Sequence, residues 1–363
     1  MLVSNKERVV YVLESWHNAG TEQYVYLLAK ELKKKNYNIE LIILGSVDPT
    51  YLEQCKSVFS DVIQINSSGK SILKTAKSLY LVLKQSRAKK VHFHLYSNLL
   101  LSLLSAKLLK MECVITFHTP LSVWSLRHKI AWLISSFLAN KNIAVAEVIK
   151  SEFRTKKIHH FTVINPPVNM ISQRIENNHS TFRIIGVGRL SNREKDWPRL
   201  IEALHILNQT YKRNIHLTIC GGGPDAEHLN RLVHSLNLQK NCLLTGHVDK
   251  ETIEQHLASA DLFVLPSKFE GFGIAPVEAM QIGLPTITAN YPASQDYITH
   301  DVTGWTFSIG DAQALATLIK KIIEQPAHTK KVARVGQVFA LDKFSPKKIA
   351  QQHIAVYRDI NNK

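Results

Sequence analysis

Two series of short apolar runs, each run separated from the next by a helix-length segment, constrain this chain more than any other feature. The first series is RVVYVLE (8–14), IELIIL (39–44), KKVHFHL (89–95), ECVITFH (112–118), NIAVA (142–146) and FTVIN (161–165). Such runs are apolar nearly throughout, as strands buried on both faces are. Between the first two, Tyr24, Leu27, Leu28 and Leu32 lie on one face of a helix. Strands alternating with helices imply a parallel sheet wound on both sides.

Residues 165–183 (NPPVNMISQRIENNHSTFR) are polar and punctuated by proline, which marks an interdomain linker. The alternation then restarts with FRIIGVGRL (182–190), IHLTIC (215–220), NCLLTG (241–246), LFVLPS (262–267), PTITA (285–289) and WTFS (305–308). Leu200, Ala203, Leu204 and Leu207 give the helical spacing between the first two. A length of 363 residues suits two such domains. The expected boundaries are 1–168 and 180–340, with a last helix at 346–360 crossing back to the first domain.

Composition narrows the setting. The four cysteines are scattered with no ligand-like spacing, which argues against a disulfide framework or zinc site and for a reducing compartment. No signal-like segment opens the sequence, and the most apolar run, 99–109, is short and carries Lys107, so a cytoplasmic protein is expected. The net charge is +16, and it is uneven: residues 1–165 hold 23 Lys and Arg against 11 Asp and Glu, residues 166–363 hold 22 against 18. The first half therefore calls for an anionic partner. No nucleic-acid recognition motif or aromatic stacking platform accompanies that charge, so nucleic acid is not the expected partner.

The densest chemistry lies in residues 269–285, FEGFGIAPVEAMQIGLP. A strand ends, a glycine-rich turn follows, and a helix is expected to begin near Pro276. Glycines admit a ligand close to the backbone, and free N–H groups at a helix start attract phosphate. Glu270 precedes the turn and Glu278 lies on the helix, with seven residues between them. This arrangement resembles the signature of family-4 retaining glycosyltransferases, whose GT-B fold sets two doubly wound Rossmann-like domains around a cleft. The resemblance covers nearly the whole chain and is densest at 186–305.

The resemblance implies roles for individual residues. Glu278 would hold the nucleotide ribose, and Glu270 would stand beside the donor sugar as a catalytic group. The Gly273–Ile274 backbone would help hold phosphate or sugar. In GVGRLSNREK (186–195), Arg189 and Lys195 would bind the donor diphosphate, with Arg193 between them able to share the second cation's role. Fixed cations of this kind stabilise a pyrophosphate leaving group without a metal. Gly222 and Gly223, in the loop after IHLTIC, match a glycine turn near the nucleotide, although a plain turn explains them equally well. In the first domain, Asn18-Ala19-Gly20-Thr21-Glu22 matches a phosphate-approaching loop in which Ala19 replaces a glycine and Gly20 keeps the role. His118 matches a histidine facing the donor sugar, and His94 a second crevice position. The family often has a paired glycine and Glu where this chain reads NYPASQDYI, with Asp296 as the replacement.

The implied activity is retaining hexosyl transfer, needing neither metal nor cofactor. The donor would be a UDP- or GDP-sugar and the acceptor a glycan or lipid-linked glycan of bacterial surface polysaccharide or lipopolysaccharide. A sugar-phosphate glycosyl synthase, a nucleotide-sugar epimerase on the same fold, and a basic nucleic-acid-binding protein are the alternatives. Residues 121–140, which mix Trp124, Ile130, Trp132 and Leu133 with Arg127, His128 and Lys129, read either as a helix packed on the sheet or as a contact to the inner face of an anionic membrane. Oligomeric state is not encoded legibly.

Overall fold

A computed structural model describes residues 7–17, 19–66, 71–154, 161–169, 174–175, 181–211 and 214–360. Asn18 and much of the 165–183 segment lie outside the described residues. The chain divides into two compact units, Met1–Pro167 with Pro346–Lys363, and Val168–Ser345.

In the first unit, the strands are β1 (Glu7–Leu13), β2 (Tyr37–Ile43), β3 (Asp61–Gln64), β4 (Lys90–His94), β5 (Glu112–Phe117), β6 (Lys141–Ala144) and β7 (Phe161–Val163). They form one sheet in the order β3-β2-β1-β4-β5-β6-β7, parallel throughout. The helices between them are α1 (Gly20–Lys34), α2 (Leu52–Val58), α3 (Ile72–Gln85), α4 (Leu99–Leu108), α5 (Leu126–Leu138) and α6 (Glu147–Arg154). The sheet grows from β1 toward β3, then restarts on the other side of β1 at β4. Right-handed crossovers therefore put α1 and α2 on one face and α3 to α6 on the other. Val9, Val10, Val12 and Leu13 of β1 are at most 1% exposed, and burial of each stabilises the unit by roughly 1.5–3 kcal/mol.

The second unit repeats the plan. Its strands are β8 (Phe182–Val187), β9 (Ile215–Cys220), β10 (Cys242–Leu244), β11 (Leu262–Leu265), β12 (Thr286–Ala289) and β13 (Trp305–Phe307). Their order is β10-β9-β8-β11-β12-β13, again parallel. The helices are α7 (Trp197–Thr210), α8 (Ala226–Ser235), α9 (Lys250–Ala258), α10 (Ile274–Gln281), α11 (Ala312–Glu324) and α12 (Pro326–Lys343). In each unit the direction of growth reverses once, between β1 and β4 and between β8 and β11. Open parallel sheets bind ligands outside the carboxyl ends of the strands at such a reversal.

The last helix, α13 (Pro346–Ile360), belongs to the first unit and packs beside α1. Buried polar groups fasten it. His353 Nε2 bonds the Tyr24 hydroxyl at 2.7 Å, and the Tyr357 hydroxyl meets Tyr11 at 2.8 Å and His92 Nδ1 at 2.7 Å. Each such bond adds about 1 kcal/mol net, and losing one partner leaves the other unsatisfied in the interior. The four cysteines are buried free thiols.

Candidate functional site

The reversal in the second unit gathers the charged residues. The loop after β8 carries Arg189, Arg193 and Lys195, and the loop after β11 carries Ser267, Glu270 and Gly273. Lys195 Nζ forms an ion pair with Glu270, whose Oε1 also accepts a 2.7 Å hydrogen bond from Ser267 Oγ. The two paired side chains are only 16% and 13% exposed, so this pair is sheltered from bulk water. Lys268 N–H donates to the Glu194 carbonyl at 2.8 Å, a second stitch between the same two loops. Arg189 and Arg193 are exposed, and no side-chain partner for either is found among the described residues. The two expected phosphate cations are thus in different states: Arg189 is open to solvent, while Lys195 is already held by a carboxylate.

Packing fixes the Arg189 loop from below. Trp197 is fully buried at the start of α7, and its Nε1–H donates to the Arg189 carbonyl at 2.9 Å. Leu190 N–H donates to the Gly222 carbonyl and Asp225 N–H to the Leu190 carbonyl, while Asp225 Oδ2 accepts from Asn192 N–H at 2.7 Å. A Cβ on Gly223 would lie 2.4 Å from the Leu190 carbonyl oxygen, and one on Gly221 would lie 2.1 Å from that of Gly188. These glycines let two loops pack backbone to backbone. Gly223 is therefore explained by loop packing; at Gly222 a Cβ would make only ordinary contact with His247, 3.4 Å away.

Helix α10 begins at Ile274, two residues earlier than the proline suggested. Pro276 still falls in the first turn, where its missing N–H has no intrahelical partner to lose. Gly273 caps the helix with φ +93°, and a Cβ there would stand 2.8 Å from the Tyr297 hydroxyl and 2.9 Å from that of Tyr291. The two hydroxyls are hydrogen-bonded to each other and buried. Burial, with the Glu270 charge adding to it, raises both phenols well above their ordinary pKa, so they stay neutral. The Glu270–Gly273 turn thus lies over a buried tyrosine pair, and its glycine is required both by the backbone angle and by space. Asp296 sits in the short 3-10 turn (Pro292–Asp296) between these tyrosines, and its carbonyl accepts from Lys343 Nζ at 2.6 Å.

Glu278 follows on α10. It keeps some exposed surface, yet desolvation raises its pKa; Lys250 pulls it down and Glu254 pushes it up. The charges acting on it come from α9, Lys250 and Glu254, rather than from the Lys195–Glu270 pair.

In the first unit, the reversal lies at the ends of β1 and β4. Gly20 is the first residue of α1 and is exposed, and Ala19 supplies no side-chain cap, so the first N–H groups of the helix depend on other partners. Glu22, in the same turn, is buried, and desolvation raises its pKa. His118 follows β5 half-buried, with Nε2 2.9 Å from His94 Nδ1 and the Tyr24 ring edge-on at 5.2 Å. Desolvation, with a smaller push from His353, lowers its pKa to about 3, so it acts near neutral pH as a neutral hydrogen-bonding ring.

His94 departs from expectation. Its side chain is fully buried among Tyr11, Tyr24 and His92, so it does not line a crevice but backs His118. Its Nε2 finds no partner among the described residues. The network beyond it was not read from sequence: His92 Nε2 meets Thr116 Oγ1 at 2.7 Å, and Tyr11, Tyr24, His353 and Tyr357 complete it. The available signal was the pair of histidines at period two in an otherwise apolar strand. Trp197, Tyr291 and Tyr297 carried no comparable signal. Among the described residues, no group of three or more His, Cys, Asp or Glu side chains is placed to hold a metal ion, and no helix is long and apolar enough to cross a membrane.

Two parallel Rossmann-like units, each with one reversal of strand order, are the architecture of the GT-B fold. Residues 18–170 match the profile of Glycosyltransferase Family 4 and residues 169–338 that of Glycosyl transferases group 1, and the chain belongs to this glycosyltransferase family. It is 32% identical over 188 residues to the amylovoran biosynthesis glycosyltransferase AmsK of Erwinia amylovora, covering 50% of this chain and 44% of that protein. It is 26% identical over 200 residues to the lipopolysaccharide core biosynthesis glycosyltransferase LpsD of Rhizobium meliloti, covering 55% of this chain and 56% of that protein. The chain thus spans about half the length of the curated relatives it matches. Among solved structures, HepE of Anabaena in complex with UDP and glucose superposes with a TM-score of 0.85 over 97% of this chain and 100% of the other, at 17% identity, a likeness of fold.

Proposed function

We propose that this chain transfers a hexosyl group from a nucleotide-sugar to a growing glycan or lipid-linked glycan, with retention of anomeric configuration and without a metal. The observation that carries the proposal is the joining of the loops after β8 and β11 by Lys195 and Glu270, with exposed Arg189 alongside. Positive charge fixed there meets the negative charge that develops on a departing nucleoside diphosphate. Arg189 binds the diphosphate first, and Lys195 divides its charge between phosphate and Glu270. Glu270, on the turn capped by Gly273, faces the sugar, and the Gly273–Ile274 backbone contacts sugar or phosphate. Glu278 accepts from the ribose hydroxyls. Gly20 and neutral His118 are the first unit's contributions, His118 as a hydrogen-bonding group.

The acceptor hydroxyl attacks from the face that the nucleotide leaves, and the leaving phosphate oxygen takes its proton. HepE, solved with UDP and with UDP-glucose, favours a UDP-sugar donor, and AmsK and LpsD favour surface polysaccharide or lipopolysaccharide as the product. Such acceptors are often lipid-linked, and peripheral attachment of the first unit to the inner face of the cytoplasmic membrane belongs to the same reading. The test is turnover of UDP- and GDP-sugars with and without EDTA, with the product anomer read by NMR. Loss of activity in EDTA, or an inverted anomer, overturns the metal-free or the retaining part respectively; no turnover of any donor overturns the whole.

A further inference from the structure

One face of the first unit exposes apolar side chains in register with basic ones. Helices α3, α4 and α5 are consecutive right-handed crossovers, and α4 packs against both neighbours, so they form one layer over the sheet. Their inner faces are buried: Leu79 and Leu83 on α3, Leu103 and Ala106 on α4, Trp132 on α5. Their outer faces are unusual. On α5, Leu126, Ile130, Ile134 and Phe137 follow the i, i+4, i+8, i+11 spacing of a single stripe and are 73%, 50%, 44% and 78% exposed. On α4, Leu104 and Leu108 repeat that spacing. On α3 the outward stripe alternates: Leu73, Lys77, Leu81, Lys84. Apolar side chains scattered singly need no explanation, but stripes on three adjacent helices form a patch that does.

Charge identifies what covers it. The three helices carry Lys74, Lys77, Lys84, Lys107, Arg127 and Lys129 and no Asp or Glu. Across residues 71–140 there are ten Lys and Arg against one acidic residue, Glu112. A second copy docking face to face would oppose like charges, since an isologous contact sets the same patch against itself. A nucleic acid would satisfy the lysines and leave the aliphatic stripe in water. An anionic bilayer surface satisfies both, with acyl chains for the stripe and headgroup phosphates for the ammonium groups.

We infer that the outer face of α3, α4 and α5 is a membrane-docking platform that lies on an anionic bilayer, with Phe137, Leu126 and Leu108 entering the interface. This deepens the peripheral attachment proposed above by naming the surface that makes it. Binding is read with no donor present, so its failure leaves the transferase reading standing.

The test is flotation of the full chain with vesicles of phosphatidylcholine alone and of phosphatidylcholine mixed with phosphatidylglycerol, at low and high salt, beside light scattering without lipid. The expected result is binding to the anionic vesicles that weakens with salt. Phe137→Glu and Leu126→Glu should each weaken it about tenfold, and Lys77→Glu about fivefold or more. These side chains are exposed, so thermal unfolding should not move, and having two apolar variants guards against one that fails to fold. Absence of binding to anionic vesicles, or equal binding by wild type and both folded apolar variants, overturns the platform. A lipid-free dimer that Phe137→Glu dissociates, with no vesicle binding by the wild type, assigns the face to a second copy instead.

Discussion

The two units share a topology and treat polar residues in opposite ways. The first buries His92, His94, His353, Tyr11, Tyr24 and Tyr357 within its core, joined by hydrogen bonds between neutral groups. The second pairs Lys195 with Glu270 on loops at the sheet's carboxyl edge, with Arg189 exposed on the same loop as Lys195. A doubly wound sheet offers the same place for a ligand in both cases. What differs is solvation: neutral polar groups can be enclosed where they find partners, whereas charges that are to meet a polar ligand must stay within reach of solvent. In the first unit the network holds α13 in place and props His118; in the second the charges are themselves the candidate chemistry.

The comparison breaks first at the Lys195–Glu270 pair. Glu270→Gln keeps the shape, removes the charge that pairs with Lys195 and should lower kcat/KM by roughly 10²–10³-fold. Lys195→Ala should lower it by a similar factor and leave Glu270 unpaired in a sheltered position. If both variants turn over donor like wild type, the pair only fastens two loops together.

Acid should act on the first unit through its buried histidines. Burial lowers the pKa of His118 to about 3 and of His353 to about 4, below the ordinary value near 6.5. In that window the unfolded chain takes up protons that the native chain refuses. Stability is therefore full above about pH 6.5 and falls as the pH drops toward 4, on the order of 3 kcal/mol for His353 alone. Urea unfolding at a series of pH values, wild type against His353→Phe, measures this, and the variant should lose part of the slope. An unchanged slope would show that the network is not what acid attacks.

How much of this was legible in the sequence follows the same divide. The apolar runs located both sheets, because strands buried on two faces have little choice of side chain; the edge strand β3 escaped, since its four residues are exposed or half-buried and form no such run. The loop after β11 was legible because Glu270, Gly273 and Glu278 lie within nine consecutive residues, and local patterns survive in a linear text. Contacts across the chain were not: Tyr11 meets Tyr357 and Tyr24 meets His353 over more than 300 residues. His94 was misplaced for a related reason. A histidine at a strand's end looks alike whether it faces ligand or core, and only the neighbouring strands decide. The pairing of Lys195 with Glu270 is equally invisible in sequence, because no spacing rule announces a partner 75 residues on.

Gly273 sharpens the contrast at a smaller scale. Gly273→Ala forces a side chain into φ +93° and against two buried hydroxyls, and should destabilise the second unit by roughly 2 kcal/mol while disturbing Glu270. Adding Tyr297→Phe removes one of the two clashing oxygens, so the double variant should regain part of the lost melting temperature. A double variant no more stable than Gly273→Ala would assign the whole effect to the backbone angle.

The smallest effect tests whether loop packing, as opposed to loop charge, matters to the candidate site. Asp225 holds the Arg189 loop through Asn192 N–H, contributing a charge-assisted bond from a loop that carries none of the proposed chemistry. Asp225→Ala should lower stability by about 1 kcal/mol and raise the KM for donor a few-fold, leaving kcat nearly unchanged. That split follows because the loop's tether positions Arg189 for binding and does not touch the turn that bears Glu270. A fall in kcat with an unchanged KM would mean instead that the two loops move as one body, and that the Lys195–Glu270 pair transmits the slack from the binding side to the reacting side.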